Sequence, residues 1–115
     1  FIDFEFGEFQ QWHIICEPAH IFLESVIKKI MYNIENYSIE THGIGRMGTL
    51  FTTGPIAYTQ AIAPLINSNN CSIYRTNYEI GLVYNYLELE RYASFTKFKS
   101  DFPHYTELTE LVVLK

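Results

Sequence analysis

Apolar side chains recur at threes and fours through residues 18–37: Phe22 or Leu23, Val26, Ile27, Ile30, Met31 and Ile34. That spacing predicts one long helix with a broad buried stripe. Pro18 marks its start, and Asn36-Tyr37-Ser38 marks its end. Glu24 and Lys28 form a supporting pair on the opposite face. A second helix is predicted over residues 55–63, with Ile56, Thr59, Ile62 and Ala63 on one side and Pro64 ending or kinking it.

The remaining patterns are shorter. Residues 1–8 alternate Phe with Asp3, Glu5 and Glu8, which fits a strand or an extended arm. Spacing by two puts Asp3 and Glu5 on one face, as a carboxylate pair for a metal or simply as a solvent face. Residues 11–16 read as a strand ending at Pro18, and residues 49–51 as a short buried strand. Between the helices, residues 39–48 carry Gly43, Gly45 and Gly48 and read as a loop. These glycines match a dinucleotide fingerprint by letter. That fingerprint needs a strand directly before it and a helix directly after it, so it is rejected. Arg46 in this loop faces solvent or reaches a phosphate at a neighbouring site.

Asn67-Ser68-Asn69-Asn70 is a turn. Residues 71–86 suit one or two strands, although residues 78–92 also suit a helix. Residues 95–104 read as a loop, and residues 106–115 as a short terminal helix or strand. The pattern as a whole predicts an α/β fold in which one long helix packs on a small mixed sheet.

Thr52-Thr53-Gly54-Pro55 stands where the predicted strand passes into the second helix. Pro55 fits a first helical position, where its missing N–H is of no consequence. Thr52 or Thr53 is placed to cap the helix. Gly54 allows a sharp turn or a close approach of backbone to a ligand. A strand leading into a helix start gathers unpaired N–H groups at a sheet edge, where phosphate or sugar oxygens bind. The same stretch also reads as a plain helix start.

Composition narrows the classes. The 115 residues are 48% hydrophobic and 18% charged, which indicates a globular chain with a real core. Aromatics reach 17%, enough to floor a sugar site as well as to fill a core. The net charge of −5 and the scattered basic residues argue against a nucleic-acid face. Cys16 and Cys71 make no disulfide scaffold, and Cys16, in an apolar run, is expected to be a buried thiol. No apolar run approaches the ~20 residues of a membrane span.

One longer stretch carries a resemblance. Phe9-Gln10-Gln11-Trp12-His13-Ile14-Ile15-Cys16-Glu17-Pro18-Ala19-His20 resembles the F-x-Q-W…P-x-H segment of DXD-motif sugar transferases. That family includes the fungal Golgi initiating α-1,6-mannosyltransferases and bacterial and viral capsular-polysaccharide relatives. In it a long helix follows, then a variable loop, then a Thr-Gly-Pro element with a Thr four residues after the Pro. Thr53-Gly54-Pro55 and Thr59 stand here in the same order. The resemblance covers roughly residues 1–66.

It implies a GT-A-like α/β core and transfer of a sugar from a nucleotide donor to a glycan or other hydroxyl, with Mn²⁺ or another divalent cation. It places Thr53, Gly54, Pro55, Thr59, Trp12 and His20 around the substrates. By position it offers His104 as a metal ligand. No catalytic base is assigned. The family's D-x-D motif is absent from these 115 residues, and Ile21 replaces a proline after His20.

The expectation is therefore the C-terminal half of a catalytic domain, inactive without its donor-binding half. The alternative is a non-catalytic α/β module that binds a glycan or a protein. Localisation follows the branch of the family: cytoplasmic for a bacterial or viral protein, Golgi lumen for a fungal one.

Overall fold

The long apolar repeat does become a helix. In a computed structural model, which describes residues 7–11, 14–69, 71–74 and 107–114, α1 spans Ile21–Glu35. Pro18 and Ala19 form the turn before it, with Ala19 at φ 60°, a left-handed conformation that strains a residue with a Cβ. His20 is its N-cap, accepting at Nδ1 from the Phe22 amide at 3.2 Å. Asn36 is the C-cap, its amide donating to the Tyr32 carbonyl at 2.9 Å. Glu24 and Lys28 pair on the exposed side, and the lysine holds the carboxyl of Glu24 below its ordinary value.

Three further helices follow among the described residues: α2 (Ile39–His42), α3 (Gly45–Thr52) and α4 (Pro55–Ile66). The core lies between α1 and α4. Val26 packs with Tyr58, Ala61, Ile62 and Ile66, and Phe9, Phe22, Leu23 and Ile30 close around them. Each aliphatic side chain fully buried here contributes about 1.5–3 kcal/mol. The two helices run antiparallel. Ser25 on α1 donates to the Ala61 carbonyl at 2.9 Å, while Asn33 near its other end reaches Phe51 and Thr52 just ahead of α4.

The expected α/β fold with a mixed sheet is overturned: the described residues hold helices and no strand. Residues 49–51, expected as a strand, lie inside α3. Three apolar residues carry no period of their own, and tertiary contacts decided between the two states. Residues 39–48, expected as a loop, form α2 and the first half of α3. Ser38 starts α2 by accepting from the Thr41 amide at 3.2 Å, and its own amide donates to His42 Nδ1 at 3.3 Å. Pro64 does not end α4, which continues to Ile66; the ring lies on the exposed side of the last turn.

The α1 stripe is narrower than expected. Val26 and Asn33 are buried, whereas Ile27 and Met31 are 58% and 56% exposed and Ile34 is also exposed. Cys16, expected to be buried, is exposed, and residues 14–16 have no regular structure. Residues 107–114 form neither an α-helix nor a strand. The expected strand over residues 1–8, apart from Gly7 and Glu8, lies outside the described residues, as do residues 75–106 with their expected strands and loop.

Asn33 is the residue that ties α3 to α1. It is 2% exposed and donates from Nδ2 to the carbonyls of Phe51 and Thr52, both at 3.1 Å. Those carbonyls belong to the last turn of α3, where no intrahelical amide can reach them. Asn33→Ala strips both of their donor, and Asn33→Asp keeps the shape but presents only acceptors. Each is expected to lower stability by about 2–3 kcal/mol, read as a fall in the urea midpoint at unchanged m.

Candidate functional site

The Thr53-Gly54-Pro55 turn joins α3 to α4. Thr53 is the C-cap of α3, and its amide donates to the Thr49 carbonyl at 3.1 Å. Gly54 donates to the same carbonyl at 2.8 Å and serves as N-cap of α4. Its φ of −86° is open to any residue, so conformation does not require glycine here. Space does: a Cβ at Gly54 would lie 2.7 Å from Leu50 Cα and 3.0 Å from the Thr49 carbonyl oxygen. The close approach is thus between the chain and itself.

Pro55 occupies the first turn of α4 as expected. Neither threonine caps that helix, because α4 has no side-chain cap. Thr52 instead ends α3, fully buried, with no hydrogen-bond partner for its hydroxyl among the described residues. Helix α4 follows Gly54 and opens at Pro55 with no acidic residue in its first turn, so nothing in that turn neutralises the positive end of the helix dipole.

Thr59 lies one turn further on and is fully buried. Its hydroxyl accepts from the Phe9 amide at 2.8 Å, across fifty positions of sequence. This bond brings the Phe-x-Gln stretch against the first turns of α4. Beside it, Tyr58 is buried with its phenol held above the ordinary value, chiefly by desolvation and secondarily by the charge of Cys16.

His20 belongs to the other end of the helix pair. Its Nδ1 is taken up in capping α1, and its ring meets Phe22 edge-on at 5.0 Å. With Ser25 level with Ala61, the antiparallel geometry places His20 and Gly54 on opposite sides of that level, ~18 Å apart along the axes at about 1.5 Å per residue. The structure therefore joins Thr53, Gly54, Pro55 and Thr59 in one corner with Phe9, and leaves His20 outside it. Trp12 and His104 lie outside the described residues.

Arg46 is exposed on α3. Among the described residues no three of His, Cys, Asp and Glu gather as a metal site would require. No described helix is long and apolar enough to cross a membrane.

Sequence reasoning missed Asn33 and the role of the glycines between α2 and α3. Asn33 carried a usable signal, since an amide at the position continuing Val26 and Ile30 on a buried stripe needs buried partners. Gly45 carried none, because it clears room for Leu108 and Thr109, more than sixty positions away, while Gly48 clears room both for Val112 and for the nearby Gly43 carbonyl.

No protein-family model, no curated protein and no solved structure matches the chain.

The two buried threonines separate cleanly by substitution. Thr59→Val removes the acceptor for the Phe9 amide and is expected to cost about 1–2 kcal/mol in thermal or chemical denaturation, while Thr59→Ser keeps the bond and most of the stability. Thr52→Val replaces a hydroxyl that has no partner among the described residues by a methyl of similar size. In the same denaturation assay it is expected to be neutral or to stabilise by up to about 1 kcal/mol.

Proposed function

We propose that this chain is part of a sugar transferase that uses a nucleotide-sugar donor, with the Thr53-Gly54-Pro55 turn bordering the substrate site. The observation that carries the reading is the Phe9–Thr59 hydrogen bond. It couples the Phe-x-Gln-Trp stretch to the Thr-Gly-Pro…Thr stretch, the two elements on which the family resemblance rests. With the Gly54 amide engaged and Pro55 carrying none, the Ile56 and Ala57 amides are the first-turn donors of α4 that phosphate or sugar oxygens would meet in this reading.

In this reading Thr53 and the turn backbone meet the substrate. Thr59 is a positioning residue, since its hydroxyl is already engaged. Gly54 sets how closely α3 and α4 approach. The divalent cation would be held by a D-x-D element elsewhere in the complete polypeptide and would stabilise the departing diphosphate there. The exposed Ile27, Met31 and Ile34 face of α1 fits contact with that further part of the domain.

The test is sugar transfer by the polypeptide in which the reading frame upstream of Phe1 is joined to this chain, assayed with Mn²⁺ and a panel of nucleotide sugars. The reading expects a G-G-x-Y-x-D-x-D element upstream, transfer by the joined polypeptide and no turnover by the 115 residues alone. Thr53→Val in the joined polypeptide is expected to lower kcat/KM about tenfold without shifting Tm. An upstream frame without that element and a joined polypeptide without transfer would sink the proposal in favour of a binding module.

A further inference from the structure

Helix α3 is poorly equipped to exist by itself. It has eight residues, two of them glycine, no capping side chain at Ile44, no acidic residue in its first turn and no basic one in its last. Helices this short are marginal in water even with good formers, and each glycine weakens them further.

What holds its first turn is a segment from the far end of the chain. The Glu110 carbonyl accepts from the Gly45 amide at 2.9 Å, doing the work of the missing cap. Leu108 lies so close that a Cβ on Gly45, already at φ 55°, would fall 2.1 Å from its carbonyl oxygen. A Cβ on Gly48 would fall 2.7 Å from Val112 Cγ2. The Tyr37 hydroxyl fastens the end, donating to the Gly43 carbonyl at 2.7 Å and accepting from the Val112 amide at 3.4 Å.

From this contact a hydrogen-bonded path leads to the Thr-Gly-Pro turn. Gly45, held at its amide, accepts at its carbonyl from Thr49 Oγ1 at 3.1 Å. The Thr49 carbonyl in turn receives the amides of Thr53 and Gly54. The α1–α4 core, built from Val26, Tyr58, Ala61, Ile62 and Ile66, uses none of these contacts.

We infer that residues 108–112 are a strap whose docking on Gly45, Gly48 and Tyr37 sets the order of α3 and, through Thr49, of the Thr53-Gly54 turn. Docked, the strap completes the helix and fixes the turn. Undocked, it leaves α3 uncapped and the turn loose while α1 and α4 stay packed. The device concerns the fold and stands whether or not the chain transfers sugar.

Hydrogen exchange followed by NMR on the full chain tests it. Val112→Asp is chosen to lift the strap from its own side, and Gly45→Ala to block its seat. Either variant is expected to speed exchange of the amides from Gly45 to Gly54 by about tenfold or more, with the core amides of α1 and α4 changed by less than about twofold. Should Gly45→Ala fail to fold, Val112→Asp alone decides. Unchanged exchange in α3, or an equal acceleration in every helix, overturns the inference.

Discussion

A single buried carboxamide governs how the helices meet. Asn33 occupies a place on the α1 stripe where an apolar side chain would pack readily, yet it is almost fully buried. Burying an amide is unfavourable unless its hydrogen bonds are made. It makes two, to the carbonyls that end α3, so the packing of α1 against α4 fixes where α3 must stop. The turn into α4 begins at that point. The geometry of Thr53, Gly54 and Pro55 is therefore set from outside the turn.

The glycines show a second constraint of the same kind. Gly43, Gly45 and Gly48 read locally as a flexible loop, but Gly45 and Gly48 remove side chains where another part of the chain comes close. Gly54 does likewise against Leu50. In these three places glycine marks close contact within the fold. The local cues for a loop and for a tightly packed helix are here the same residues.

That overlap explains what could be read from the sequence. Helix α1 and the start of α4 were legible because a period near 3.6, a preceding proline and an ending asparagine each report on their own neighbourhood. Helix α3 was not, because its caps come from Glu110 and Asn33, neither of which lies within ten positions of it. The Thr-Gly-Pro turn was legible as a helix start, and Pro55 stands where local rules put it. Its backing by Phe9 through Thr59, and the removal of His20 to the opposite end, depend on how two distant helices align. No window of sequence carries that information.

The antiparallel pairing of α1 and α4 makes the two helices a ruler, with the imidazole of His20 near one end and the Thr-Gly-Pro corner at the other. A compact molecule seated at the corner has no reach to that imidazole. Only an elongated one, laid lengthwise beside the pair, spans the distance, so the size of whatever touches both marks is measured by the helices themselves.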